Sequence, residues 1–211
     1  CRGQFMSGTI AGVVLAGGLS RRMGGGEKGL QLLAGQTMIS RVIGRIAPQV
    51  EALAINANSD PAPYEHFGLP VLPDTVSGHV GPLAGVLTGL EWASTLPGVT
   101  HVVSAATDTP FLPLDLVARF SALAGPERIV IARSDGNRHP VFGLWPVALR
   151  QDLAEWLASS DTMKVLAWAN RHDLVFCDFD ADGDGAPDPF FNANTPEELA
   201  EAEAFLAGTD A

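Results

Sequence analysis

The pattern of apolar and polar positions changes repeatedly between strand-like and helix-like segments along the chain. Short apolar stretches predict strands at 10–16, 50–56, 101–106, 129–132, 141–145 and 174–179, with a further short strand before Asp74. Apolar positions at helical spacing and helix-start residues predict helices at 37–46, 82–93, 113–123, 147–157, 163–169 and 196–207. Strands that alternate with helices in this way are typical of a parallel sheet with helices on both faces.

This α/β pattern extends over one domain, which we place at residues 8–208 because the 211 residues fit a single core and no linker interrupts them. The last helix has a specific start signal, since Thr195 and Glu198 have the spacing of a capping box. In a mostly parallel sheet, ligands bind at the carboxyl ends of the strands. We therefore expect the chemistry directly after Leu15, Asn56 and Ala106.

The composition argues against several classes of protein. An apolar fraction of 46% disfavours disorder, and a net charge of −11 disfavours binding to nucleic acid or to anionic membranes. Two cysteines give no disulfide framework and no cysteine-based zinc site, and no apolar run reaches membrane-spanning length. We expect a cytoplasmic protein whose natural start is Met6, with the five residues before it being additional.

The segment VVLAGGLSRRMGGGEKGL, residues 13–30, combines the first strand exit with six glycines and three cations. It is not a Walker A loop, because Lys28 is followed by Gly29 instead of a hydroxyl residue. Gly24, Gly26 and Gly29 match the G-x-G-x-x-G pattern only weakly, since they lie well past the strand.

A polyphosphate site accounts for this combination better. The backbone amides that leave the strand can line a phosphate or a base, and they belong to Leu15, Ala16, Gly17 and Gly18. The loop then carries Arg22 and Lys28 back over the phosphates, where their positive charge is scarce in an acidic protein. The alternative is a solvated glycine loop whose cations are incidental.

Asp108, in the motif ATDTP, directly follows a predicted buried strand. A lone carboxylate at such a point suits Mg²⁺, which usually takes one or two protein carboxylates together with phosphate oxygens. Asp108 equally fits a turn or a helix cap near Pro110.

Two further strand ends carry polar residues, Asn56 in INAN and Asp74 in LPD. An asparagine can pair with a ribose or a base edge, and an aspartate can accept a hydrogen bond from either, but both residues also fit turns. The turn GPLAG, residues 81–85, opens a helix with small residues. It either contacts a flat base or allows the helix to pack closely on the sheet.

The C-terminal third carries three more candidates. FNANTPEEL presents Asn192 and Asn194 before the capped helix, as polar ligand contacts or, for Asn194, as a turn former. The acidic stretch 178–189 imitates the start of a calcium loop but has Pro189 in place of the final glutamate, which favours a solvated loop. His139 at a strand start favours packing or substrate contact over metal ligation.

Taken in chain order, these motifs resemble molybdenum cofactor guanylyltransferases of bacteria, and the resemblance extends over residues 12–206. It implies a three-layer, Rossmann-like nucleotidyltransferase domain with a mostly parallel central sheet. It also implies transfer of GMP from GTP to the terminal phosphate of molybdenum-bound molybdopterin, with release of pyrophosphate. Proteins that supply molybdopterin or accept the finished cofactor are implied as partners. The proline-bearing acidic insert before FNANTPEEL looks longer than is usual in the family.

The resemblance also implies roles for individual residues. It places Asp108 on Mg²⁺ and on GTP, and Lys28 on GTP. From the residues themselves, Lys28, Arg22 and Mg²⁺ at Asp108 are the candidates for offsetting the charge that builds on the departing pyrophosphate. Asn192 and Asn194 are expected on the side of the pterin substrate. The remaining GTP contacts that it implies are Leu15, Ala16, Gly17, Asn56 and Asp74.

Three alternatives stay open at this stage. The first is a related nucleotidyltransferase that uses CTP or acts on a sugar phosphate. The second is a nucleotide-binding module without catalytic activity, which would bind GTP but release no pyrophosphate. The third is a flavodoxin-like or dehydrogenase domain, which would bind flavin or NAD.

Overall fold

A computed structural model of the chain describes residues 8–17, 28–76, 78, 81–179 and 186–209. The strands are β1 (Thr9–Leu15), β2 (Leu32–Leu33), β3 (Gln36–Thr37), β4 (Ala52–Asn56), β5 (Val71–Leu72), β6 (Val99–Ala106), β7 (Arg128–Ser134), β8 (Asn137–Pro146) and β9 (Asp173–Asp178). The α-helices are α1 (Met38–Ile46), α2 (Pro82–Ala93), α3 (Leu116–Leu123), α4 (Arg150–Ser159), α5 (Val165–Ala169) and α6 (Pro196–Thr209).

Seven of these strands form one sheet in the order β5-β4-β1-β6-β8-β7-β9. β1 pairs in parallel with β4 and β6, β4 with β5, and β7 with β9, whereas β8 runs antiparallel to both β6 and β7. The sheet is therefore mostly parallel, and the predicted α/β class is confirmed. The reversal of β8 brings the first residues of this strand to the edge where β1, β4 and β6 end.

Helices cover both faces of the sheet and give the fold its three layers. α1 and α3 pack on one face around Val14 and Phe120, whereas α2, α4 and α5 pack on the other around Val13 and Trp168. Neighbouring residues of β1 thus enter opposite cores, as the two-residue period of a strand requires. α6 packs with the β2–β3 hairpin in a smaller cluster that includes Leu33.

Helix starts follow local signals where the sequence contains them. Thr37 is the N-cap of α1, and its hydroxyl accepts a hydrogen bond from the backbone N–H of Ser40 at 3.3 Å. At α6, the Thr195 hydroxyl accepts from the Glu198 N–H at 3.2 Å, and the Glu198 carboxylate accepts from the Thr195 N–H at 3.0 Å. The predicted capping box is confirmed.

The helix predicted at 113–123 begins only at Leu116, so its predicted start was wrong. The Gln49 amide nitrogen donates to the carbonyl of Pro113 at 2.9 Å, and its oxygen accepts from the N–H of Val117 at 2.9 Å. A distant glutamine therefore caps α3 and holds Pro113 in a turn outside it. Similarly, the predicted helix 147–157 starts with a 3₁₀ turn at Val147–Leu149 before α4.

No helix in the described parts of the chain combines the length and the apolar character that crossing a membrane requires.

Candidate active site

A cavity of about 550 Å³ opens at the carboxyl edge of β1, β4 and β6. The start of α2 and the first half of β8 close it from the two sides. The three strand ends at which the sequence predicts functional residues thus lie around one cavity. The predicted site residues in the cavity wall are Leu15, Gly17, Asn56, Asp74, Asp108 and Asn192.

The other predicted residues are placed differently. Ala16 is buried and its N–H donates to the Asn56 carbonyl at 2.9 Å, so it continues the sheet by one residue. Lys28 contacts the cavity wall by an ion pair with Asp108. Gly18 and Arg22 lie outside the described residues, and their predicted roles stay predictions.

Lys28 and Asp108 form an ion pair, with Nζ and Oδ2 2.6 Å apart and each side chain about one-fifth exposed. Lys28 starts a 3₁₀ turn, Lys28–Leu30, that lies against the end of β6. A Cβ on Gly29 would lie 2.8 Å from Cβ of Thr107, which is closer than atoms can pack. Glycine at this position therefore allows the lysine to reach the carboxylate.

The surroundings of Asp108 fit a magnesium ion bound partly by substrate. Within the described residues, no group of three or more His, Cys, Asp or Glu side chains is placed to hold a metal alone. Mg²⁺ commonly takes one carboxylate, with phosphate oxygens and water completing its shell. Asp108 lies in the cavity wall, where its oxygens can face a bound triphosphate.

Asp74 is held by two asparagines. Its Oδ1 accepts from the Asn56 amide at 2.8 Å, and its Oδ2 accepts from the Asn58 amide at 2.7 Å. The Asp74 N–H in turn donates to the Asn58 side chain at 2.7 Å. Asn56 is nearly buried, and it also donates to the Leu72 carbonyl at 3.0 Å, so it connects two strands instead of shaping a turn.

Asn58 also lines the cavity, and the sequence prediction missed it. Its position two residues after Asn56 in INAN, which puts both amides on one side of an extended chain, was the available signal. The two amides fix the Asp74 carboxylate, whose remaining lone pairs can accept from a ribose hydroxyl or a base N–H.

The small-residue turn at the start of α2 serves two purposes. Gly81 and Pro82 lie in the cavity wall. A Cβ on Gly85 would lie 2.3 Å from Oδ1 of Asn56 and 2.7 Å from Cδ2 of Leu15. Of the two interpretations of GPLAG, close packing of helix on sheet therefore holds for Gly85, and cavity contact is available at Gly81.

An irregularity in β8 forms the opposite wall, of which the sequence analysis named only His139, as a residue for packing or substrate contact. Ile131 pairs with Gly143, but the next residue, Ala132, pairs with His139, so residues 140–142 bulge from the ladder. Pro140, Val141 and Phe142 line the cavity, together with Arg138 and His139. A proline within a strand pattern is a usual marker of such a bulge.

Buried side chains hold the bulge from inside the sheet. The hydroxyl of Ser104 donates to the Val141 carbonyl at 2.5 Å, and the Trp145 indole N–H donates to the same hydroxyl at 2.7 Å. Ser104 and Trp145 are fully buried. The carbonyl that leaves the strand ladder is thereby satisfied, so the bulge carries no unpaired polar group at this point.

The structure separates the two asparagines of FNANTPEEL. Asn192 lies in the cavity wall, and its Oδ1 accepts from the Thr109 hydroxyl at 2.8 Å. Asn194 is not part of the wall formed by the described residues; its N–H donates to the Glu198 carboxylate at 2.6 Å in the cap of α6. Ala193 donates to the Asp108 carbonyl at 3.0 Å, which fixes this segment beside Asp108.

The acidic stretch is described only at its two ends. Asp178 pairs with Arg133, which lowers the pKa of the Asp178 carboxyl chiefly through the hydrogen bond between them. Asp188 bonds to Ser134 beside the cavity. The three aspartates at 180, 182 and 184, on which the calcium alternative depended, lie outside the described residues.

A mostly parallel α/β sheet with a polar cavity at the carboxyl ends of its strands is a usual arrangement of nucleotide-binding domains. The model of the MobA-like NTP transferase domain matches residues 12–174. A molybdenum cofactor guanylyltransferase from Bradyrhizobium sp. is 49% identical over 205 residues, 95% of each chain. Another from Mesorhizobium japonicum is 50% identical over 199 residues, 93% of this chain and 96% of the relative.

Solved structures show the same fold. Molybdopterin-guanine dinucleotide biosynthesis protein A from Archaeoglobus fulgidus superposes with a TM-score of 0.73 at 23% identity, covering 94% of this chain and 99% of that one. The 4-diphosphocytidyl-2C-methyl-D-erythritol synthase from Anaerococcus prevotii gives 0.70 at 13% identity, covering 95% and 97%. The chain belongs to the molybdenum cofactor guanylyltransferase family, and the resemblance noted in the sequence is confirmed.

Proposed function

We propose that the protein transfers GMP from GTP to the terminal phosphate of molybdenum-bound molybdopterin and releases pyrophosphate. Relatives of about half identity over nearly the whole chain have the corresponding name. The observation that carries the proposal in the structure is the Lys28–Asp108 pair beside the cavity, because it provides a cation and a carboxylate where a triphosphate would lie.

The reaction requires positioning more than proton transfer. An oxygen of the acceptor phosphate attacks the α-phosphorus of GTP, and the bond from that phosphorus to the bridging oxygen breaks as pyrophosphate leaves. The attacking group is already an anion, so no strong base is needed, and the protein must bring two anions together in line. Lys28 offsets part of the charge that develops on the leaving group.

Asp108 is the residue that would hold Mg²⁺. When bound, the ion supplies further neutralisation of the phosphate oxygens. In the described structure the Asp108 carboxylate is paired with Lys28, which holds it in place at the cavity wall. Arg22, together with the glycine amides at Gly17 and Gly18, is assigned to the same phosphates because these residues belong to the glycine-rich segment that follows the first strand.

The base and sugar of GTP are assigned to the β4 side of the cavity. There the Asp74 carboxylate, held by Asn56 and Asn58, and the backbone at Gly81 offer a rigid polar surface. A site built for particular hydrogen bonds rejects a base that lacks them more strongly than a shape-only pocket does. The pterin is assigned to the opposite side, at Asn192.

The test is pyrophosphate release from GTP, with CTP and ATP in parallel, in the presence of molybdenum-loaded molybdopterin and Mg²⁺. We expect release with GTP only, and we expect the reaction to take place in the cytoplasm. Equal release from CTP would contradict the guanine assignment. Tight GTP binding without any release would instead support the non-enzymatic module.

A further inference from the structure

His139 lines the cavity, and Nε2 of its imidazole is 2.6 Å from the hydroxyl oxygen of Ser134. Ser134 is nearly buried, and its hydroxyl donates to Oδ2 of Asp188 at 2.7 Å. The ring of Phe190 stacks on the imidazole, with 4.5 Å between the ring centres and 21° between their planes. The imidazole is thus held at its edge and on one face.

The direction of these hydrogen bonds fixes the tautomer of His139. Asp188 is a carboxylate that only accepts, and its Oδ1 accepts from the Phe190 N–H at 2.6 Å. Ser134 has one proton, which it gives to Oδ2 of Asp188, so its oxygen offers His139 only a lone pair. Nε2 of the imidazole therefore carries the hydrogen, and Nδ1 of the neutral ring carries a lone pair.

The surroundings favour the neutral ring. Burial lowers the pKa of His139 below its ordinary value, and the charge of Asp188 opposes this only in part. A neutral, tautomer-fixed imidazole presents Nδ1 as a hydrogen-bond acceptor, a property that Arg138 beside it in the wall lacks.

His139 lies on the acceptor side of the cavity. In the sheet order, β8 and β4 are on opposite sides of the β1–β6 pair, so His139 lies on the opposite side of the cavity from the Asn56–Asp74 group. Its neighbours in the wall include Phe142, and Phe190 is only two residues from Asn192. The GTP contacts and His139 therefore belong to different halves of one cavity.

We propose that His139 binds the acceptor substrate through Nδ1, which accepts a hydrogen bond from an N–H or O–H group of the pterin. Ser134 and Asp188 are positioning residues that set the imidazole tautomer. The proposal rests on the proposed function and deepens it, because it names the cavity wall that recognises the pterin and states that the protein group there is a hydrogen-bond acceptor.

The variant Asp188→Asn tests this with almost no change of shape. The N–H of Phe190 needs an acceptor, so the asparagine keeps its oxygen there and turns its amide nitrogen to Ser134. The amide then donates to the hydroxyl, the hydroxyl donates to Nε2 of His139, and the ring hydrogen moves to Nδ1. An acceptor facing the pterin becomes a donor.

We expect the KM for molybdopterin to rise about tenfold in Asp188→Asn, the usual consequence of replacing one good hydrogen bond by a donor–donor contact. The dissociation constant of GTP and kcat should change less than about twofold. Nitrogen-15 chemical shifts of His139 report the tautomer directly. The matched control is Asp178→Asn in the same acidic stretch, whose side chain pairs with Arg133 and which should leave the KM unchanged.

Two further variants separate binding from folding. His139→Ala should raise the same KM, and adding Asp188→Asn to it should have no further effect, since the aspartate acts through the imidazole. If Asp188→Asn does not fold, as judged by circular dichroism, Ser134→Ala replaces it and should also raise the KM because the tautomer is no longer set.

An unchanged molybdopterin KM in a variant whose nitrogen-15 shifts show the reversed tautomer would overturn the proposal. So would a loss of GTP affinity equal to the loss of molybdopterin affinity. Failure of the proposed function has a different signature, because the unmodified protein would then release no pyrophosphate. In that case calorimetric titration with molybdopterin alone still compares the unmodified protein with Asp188→Asn, and equal affinities would refute the role of His139.

Discussion

Replacing Gly85 by alanine sets two opposing effects against each other within α2. Alanine in a helix interior is favoured over glycine by about 1 kcal/mol, because the glycine backbone loses more freedom on folding. At this position, however, the new methyl group would lie 2.3 Å from the Asn56 amide oxygen and 2.7 Å from a Leu15 methyl. Neither neighbour is free to move, since both lie at buried strand ends.

Forcing an additional methyl group into a packed core costs about 1–3 kcal/mol. Moving the Asn56 amide also weakens its bonds to Asp74 and Leu72, each worth about 1 kcal/mol. These costs exceed the helix gain, so Gly85→Ala should be destabilised by roughly 1–3 kcal/mol, which lowers the melting temperature by about 2–10 °C for a chain of this size. The affinity for GTP should fall several-fold, because the Asp74 carboxylate loses part of its support.

Gly44 in α1 provides the matched control. It is exposed, and a Cβ there would meet no atom within 4 Å. Gly44→Ala should therefore show the helix gain alone and raise the melting temperature by a few degrees, with GTP affinity unchanged. Thermal melts and calorimetric GTP titrations of both variants compare their stabilities and their affinities for GTP. If Gly85→Ala were as stable as Gly44→Ala and bound GTP normally, the packing argument would be refuted.

The remaining predictions concern charges and amides in and around the site. Lys28→Ala should lower turnover about a hundredfold or more in steady-state pyrophosphate assays while circular dichroism stays unchanged, because a preorganised cation at the transferring phosphate is lost. Asp108→Asn should abolish Mg²⁺-dependent turnover; an unaltered magnesium titration would place the ion elsewhere. Asn192→Ala should weaken molybdopterin binding, whereas Asn194→Ala should leave the melting temperature unchanged, since the structure records its backbone N–H in the cap. Burial lowers the pKa of His101 in the folded state. As the pH falls, the histidine is therefore protonated in the unfolded chain before it is protonated in the folded protein, and the free energy of unfolding decreases below about pH 6.5. His101→Gln should remove part of that slope in urea titrations at pH 7.5 and 5.5.

The sequence allowed the features that are encoded locally to be predicted. The start of α6 follows from Thr195 and Glu198, which are three residues apart and need no other part of the chain. The positions of Asn56 and Asp108 at the cavity follow from a strand pattern and the rule that parallel strands end at one edge. These predictions depended on neighbours in sequence or on a general property of sheets.

Other features depend on long-range contacts and could not be predicted in the same way. The start of α3 is set by Gln49, which is 68 residues before Val117, so no local signal marks it. The bulge in β8 is stabilised by Ser104, on a neighbouring strand, and its place depends on the register between β7 and β8. A proline such as Pro140 is a local marker of an irregular strand, but it does not tell that the residues around it form a cavity wall.

The reversal of β8 explains why the two halves of the cavity differ in chemistry. Where parallel strands end, the wall consists of strand-exit backbone and short polar side chains such as Asp74 and Asp108. Because β8 runs antiparallel to β6, the first residues of β8 lie at the edge where β6 ends. On this side the cavity is therefore lined by residues of a strand, and these include the imidazole residue His139 and the aromatic residue Phe142. The proposed transfer between two unlike substrates needs two unlike surfaces on either side of one reacting phosphorus. The sheet provides both by reversing a single strand next to β6, the strand that ends beside Asp108.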